Sequence, residues 1–84
     1  MDEAAFEEKL GAVLESVKQA HPEMYFETIY DLVRYGEWQI AVETLCDNLH
    51  EYGKHIPKEI YQELVFVAES LGVGEEYWGD IEVK

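Results

Sequence analysis

Apolar residues recur along this chain with the 3.6-residue period of an α-helix. Phe6, Leu10, Val13, Leu14 and Val17 form a first stripe. Asp2 stands before it as an N-cap, with acids in the first turn that suit the helix dipole. His21-Pro22 interrupts this helix, because a residue before proline disfavours helical dihedrals. Pro22 is expected to open a second helix at its first position. That stripe reads Tyr25 or Phe26, then Ile29, Leu32 and Val33, and Gly36 is its left-handed stop. A third helix is expected over residues 37–52, with Trp38, Ala41, Val42, Leu45, Leu49 and Tyr52 on its apolar side and Cys46 at the edge. Gly53 ends it. Pro57 opens a fourth helix, in which Ile60, Tyr61, Leu64, Val65, Phe66, Val67, Ala68 and Leu71 cover nearly all sides, so it is expected to be the most enclosed. Gly72 is its stop. Residues 75–84, with Tyr77, Trp78 and Ile81, read as a short helical turn packed back onto the rest. Strand-type alternation does not persist, and no Asn-Gly hairpin signal occurs. Connections of about 2–5 residues suit antiparallel neighbours. The expected fold is all-α: one domain over residues 1–84, a compact antiparallel bundle of four helices plus a short C-terminal helical turn.

Composition narrows the class. At 84 residues a chain buries only about 60 % of its unfolded surface. Two Trp, six Tyr and three Phe help, since each ring buries roughly 150–250 Å². An apolar content of 48 % excludes a disordered acidic tail. Nineteen acids against six Lys and Arg give a formal charge of −13. Such a surface argues against direct binding of nucleic acid, whose phosphates need cations, and against an anionic membrane. No apolar run approaches the roughly 18 residues that span a bilayer. The acidic start Met1-Asp2-Glu3 lacks a cationic and then apolar segment, so no secretory signal is expected and a cytoplasmic location is. A single cysteine permits neither an internal disulfide nor a thiolate-based zinc cage.

Candidate chemistry is sparse. His50-Glu51 begins the zinc-protease pattern His-Glu-x-x-His, but position 54 is Lys and His55 comes one residue late, beyond Gly53. Cys46 and His50 are four apart and could reach one ion, yet His55 or Asp47 would have to complete the set. The plainer reading makes Cys46 a small buried hydrophobe and His50 a partly solvated surface residue. Ser16, Ser70, Thr28 and Thr44 lie inside predicted helices, outside any nucleophile elbow. Gly72-Val73-Gly74 lacks the strand and further glycines of a dinucleotide loop. The chain is therefore expected not to be an enzyme and to need no metal or cofactor.

The charge itself demands an account. Glu43, Asp47 and Glu51 recur every four residues and share a face of the third helix; Glu59 and Glu63 repeat the spacing on the fourth. Like charges four apart destabilise a helix by roughly 0.2–0.5 kcal/mol per pair. Each cluster can be read as a solvated face that aids solubility. It can also be read as an electrostatic surface for a basic partner, which speeds association.

The run Gly36-Glu37-Trp38, followed by Ala41-Val42-Glu43-Thr44-Leu45-Cys46-Asp47-Asn48-Leu49-His50-Glu51-Tyr52 and then Ile56-Pro57-Lys58-Glu59-Ile60-Tyr61, resembles the Maf-type immunity family. Leu71-Gly72-Val73 and Tyr77-Trp78 agree with it. The resemblance covers residues 29–78; residues 1–28 match only as a generic amphipathic start. It implies an immunity protein, or antitoxin, of bacterial polymorphic toxin and contact-dependent growth inhibition systems. Such a protein binds a cognate toxin C-terminal domain one to one and blocks its active site or substrate path. The toxin is expected to be basic and a nuclease, with EndoU-like ribonucleases one known class. Partner contacts are then expected from Glu43, Asp47, His50 and Glu51 on the outer face of the third helix, with Tyr52 and His55 beside them. Tyr52 and Trp38 also fit the core, and Cys46 and Asn48 fit packing or helix-end roles. Because specificity requires discrimination between relatives, Tyr35, Glu37, Glu75 and Glu76 are alternative contacts. A different class also fits: an acidic helical interaction adaptor, or a nucleic-acid mimic that acts as a regulator.

Overall fold

The computed structural model describes residues 2–84. In chain order it contains α1 (Glu3–Ala20), α2 (Glu27–Arg34), α3 (Trp38–Glu51), β1 (His55–Ile56), α4 (Lys58–Ser70), α5 (Glu75–Trp78) and β2 (Glu82–Val83). The all-α expectation holds in its main lines: four principal helices are followed by a short helical turn.

Local chemistry sets the boundaries. The Asp2 Oδ1 accepts the Ala5 N–H at 2.8 Å and caps α1. Three helices end in one motif. At the end of α3 the Gly53 N–H donates to the His50 carbonyl at 3.1 Å and the Lys54 N–H to that of Leu49 at 3.0 Å. This Schellman arrangement needs a left-handed residue, and Gly53 supplies it at φ 61°. Gly36 and Gly72 close α2 and α4 with the same pair of bonds.

The second helix does not open at Pro22. Residues 21–26 form a turn in which the Met24 N–H donates to the His21 carbonyl at 3.1 Å, and α2 starts at Glu27. Met24 and Phe26 are both buried, while Tyr25 is exposed. In a helix, positions 24 and 26 would point about 200° apart, so a helical segment could not deliver both side chains to one core.

Helices α2 and α3 pack together as a hairpin, α1 packs on α4, and α5 packs on α3. The ends of α1 and α4 meet in antiparallel sense, since Phe6 neighbours Leu71 and Ser16 neighbours Glu59 and Ile60. The core is formed by Leu10, Val13, Leu14 and Val17 of α1, Ile29 of α2, the inner face of α3, and Leu64, Val67 and Ala68 of α4. Ile56, Val73 and Ile81 seal its lower edge. Among the described residues, no polar or charged side chain is buried.

The most enclosed helix is α3, not α4. It buries Ala41, Val42, Leu45, Cys46 and Leu49, because α2 covers it on one side and α5 on another. On α4, Phe66 stays 44 % exposed. The chain also contains a strand pair that its pattern did not announce. β1 and β2 run parallel, with His55 opposite Glu82 and Ile56 opposite Val83. The Lys84 N–H extends the pairing to the Ile56 carbonyl at 3.0 Å. Two-residue strands are too short to show a period of two.

The C-terminal turn packs back as expected, and two side-chain hydrogen bonds tie it down. The Tyr61 hydroxyl donates to the Trp78 carbonyl at 3.0 Å. The Trp78 Nε1–H donates to the Val73 carbonyl at 3.2 Å. Among the described residues, no helix is long and apolar enough to cross a membrane.

Candidate protein-docking surface

Helix α3 carries Glu43, Asp47, His50 and Glu51 on the side away from the Leu45–Leu49 core face, as a 3.6-residue repeat requires. The structure divides this set. Glu43 is half-buried beside α5, whereas Asp47, His50 and Glu51 are exposed. The charge of Glu43, then burial, then Asp47 hold the Tyr77 phenol above the ordinary phenol range. His50 reaches the same segment: its Nε2–H donates to the Tyr77 carbonyl at 3.0 Å. Tyr52 leaves the apolar stripe at the C-cap and is 53 % exposed, so it belongs to the surface. Trp38 is half-buried. Its ring stacks on Phe6 with centroids 5.7 Å apart, and its Nε1–H donates to the Val33 carbonyl at 3.1 Å.

His55 stands apart from the α3 face. It lies on β1, beyond the Gly53 stop, and its carbonyl accepts a bond from His21 Nε2 at 2.5 Å. The two imidazoles meet edge to face at 6.0 Å. Glu23 joins this corner through Lys54 Nζ at 3.0 Å and His21 Nδ1 at 3.4 Å. Hydrogen bonding from its own backbone, and then from Lys54, lowers the Glu23 pKa. The corner therefore fastens the 21–26 turn to β1. Tyr35, Glu37, Glu75 and Glu76 are all exposed and free to meet a partner.

Burial, followed by the charges of Asp47 and Glu43, pushes the Cys46 thiol up to about 12, so it is not a thiolate at neutral pH. His50 spends its Nε2 on Tyr77. No group of three or more His, Cys, Asp or Glu is placed to hold a metal ion among the described residues.

Electrostatics are lopsided instead. Of the 19 carboxylates, only Glu23, Asp31 and Glu63 pair with a Lys or Arg among the described residues. Because no charge is buried among the described residues, the remainder form a solvent-facing negative shell with few counter-charges. Sequence reading identified the acids of α3. It missed the apolar grooves beside α1, because their walls come from α1, α3 and α4 and only the packing joins them.

No family model, no curated protein and no solved structure matches this chain.

Proposed function

We propose that this chain is an immunity protein that binds a cognate toxin domain one to one in the cytoplasm and blocks its active site or substrate path. The toxin is a basic protein, in our reading a nuclease of the EndoU-like ribonuclease kind. The observation that carries the proposal is the negative shell: among the described residues most carboxylates stand without a Lys or Arg partner around an apolar core. A fold under selection for stability alone would intersperse lysines, because like charges four apart cost stability. The family resemblance over residues 29–78 supplies the biological setting.

Nuclease clefts are cationic because they hold phosphate, so an acidic body fits them by charge. Complementary charge raises association from about 10⁵–10⁶ M⁻¹s⁻¹ towards 10⁸–10⁹ M⁻¹s⁻¹ at low salt. No catalysis or cofactor is required of the inhibitor, only tight occlusion.

The test is co-expression with the toxin domain encoded immediately upstream, scored by growth and by co-purification. Survival with a one-to-one complex, where the toxin alone kills, supports the reading. Killing despite this protein, or the lack of such a gene, overturns it. Capture of several unrelated partners of equal affinity would mark an adaptor instead.

A further inference from the structure

Two apolar hollows lie along α1. The first, of about 390 Å³, has Ala12, Val13 and Ile60 as its floor and Glu59 and Glu63 as its wall. The second, of about 410 Å³, is built from Phe6, Trp38, Phe66 and Leu71, with Asp2 and Glu3 at its mouth. The first hollow exists because α1 presents Ala12, one turn before Ser16, to α4. Small side chains at this spacing leave a notch where larger ones would fill the seam.

Lys9 stands between the hollows. Its Nζ pairs with Glu63 and lies 5.1 Å over the Phe66 ring. Among the described residues it is the one cation in a trench whose other charged residues are Asp2, Glu3, Glu59 and Glu63. From Asp2 to Ser16 the trench follows α1 for about 21 Å at 1.5 Å per residue. An apolar floor inside an acidic rim is the layout of a docking site, where a desolvated centre carries the affinity and a polar rim orients it. The outer face of α3 presents Glu43, Asp47 and Glu51 with Ile40 exposed among them.

We propose that this α1–α4 trench is the docking site for a basic amphipathic helix of a protein partner. Apolar side chains of that helix fill the two hollows, and its cations meet the acidic rim. Lys9 holds the place of an incoming cation at Glu63. The proposal refines the reading of the chain as a binder of a basic partner and locates the contact away from the acidic outer face of α3.

The experiment uses the full chain and three 14-residue synthetic peptides: an amphipathic Leu/Lys helix, a Leu/Glu helix and a Lys/Ser peptide without apolar residues. Amide and methyl chemical shifts locate binding, and calorimetry measures it. The Leu/Lys helix should perturb Ala12, Ser16, Ile60 and Phe66 and bind at least tenfold more tightly than either control. Ala12→Trp should weaken it tenfold by filling the notch. Glu59→Lys, a surface change that spares the packing, should weaken it as well. Lys9→Gln should tighten it several-fold by freeing Glu63, an opposite sign that general damage to the fold would not produce. Shifts confined to the α3 face, equal binding of the Lys/Ser peptide, or self-association that masks the trench would overturn the proposal. The co-expression test stands separately. If the toxin is neutralised but Ala12→Trp and Glu59→Lys leave its affinity unchanged, the trench fails and the immunity reading survives. If the peptide docks but no toxin is neutralised, the immunity reading fails and the trench survives.

Discussion

The His50 Nε2–H donates to the Tyr77 carbonyl at 3.0 Å and joins the last turn of α3 to α5. This bond makes His50 a fastening of the C-terminal segment, a role that its position on an acidic helix face does not suggest. His50→Ala should cost about 1 kcal/mol, the net value of one such bond. The loss should be local, with faster amide exchange over residues 77–84 and α1 unaffected. Hydrogen exchange with a urea titration checks both. Uniform acceleration across the chain would refute the local role.

Cys46 should be silent in the native protein. It is fully buried, and its thiol is pushed up to about 12, first by burial and then by Asp47 and Glu43. A chromogenic disulfide reagent at neutral pH should label it only after unfolding, in one-to-one stoichiometry. Prompt labelling of the folded chain would show that α5 opens readily. Cys46→Ser should be worse than Cys46→Ala, because it places a hydroxyl in an apolar site at a cost of about 1–3 kcal/mol if unpaired.

Alkali should unfold the protein along a definite window. Cys46 rises from 9.0 to about 12 and Tyr30 from 10.0 to about 12, in both cases through burial first; Tyr30 also donates to Glu15 at 2.6 Å. Both pKa values are higher in the folded state, so the unfolded chain loses its protons first as pH rises. The stability they contribute is complete below pH 9 and is lost progressively between about pH 9 and 12. Urea midpoints measured across this range should be flat and then fall. In Cys46→Ala the decline should begin nearer pH 10.

Asp47→Lys should separate stability from function. The exposed Asp47 has Glu43 and Glu51 four residues away on either side. Replacing two repulsions by two attractions should stabilise the fold by roughly 0.8–2 kcal/mol. The same change should weaken toxin binding in the co-expression assay if the α3 face takes part, and leave it unaltered if the trench alone does. Raising salt should stabilise the wild type more than the variant, since screening relieves self-repulsion.

How far the sequence carried the fold depends on the length of each element. The α1 stripe from Phe6 to Val17 was legible because it repeats the same period over about three turns and Asp2 caps the helix. The stops at Gly36, Gly53 and Gly72 were legible because a left-handed residue is nearly a glycine signature. The Met24–Phe26 segment misled, since Pro22 is equally at home in a helix's first turn and in a tight turn; only the burial of both side chains decides. The β1–β2 pair was illegible, because its two partners lie far apart in the chain and neither is long enough to show alternation. At the surface, the acids of α3 could be read from their spacing. The link from His50 to Tyr77, the separation of His55 from that face and the trench beside Lys9 could not, because each depends on how separate elements meet.

The wholly apolar core has a consequence for descent. Because no polar or charged side chain is buried among the described residues, most exterior substitutions away from the Asp2 cap and the Tyr30–Glu15 bond should shift stability by less than about 0.5 kcal/mol. A lineage carrying this domain can therefore exchange one set of surface residues for another through single steps, each of which still folds. Change at the surface is then limited by what the surface must do rather than by the scaffold that carries it.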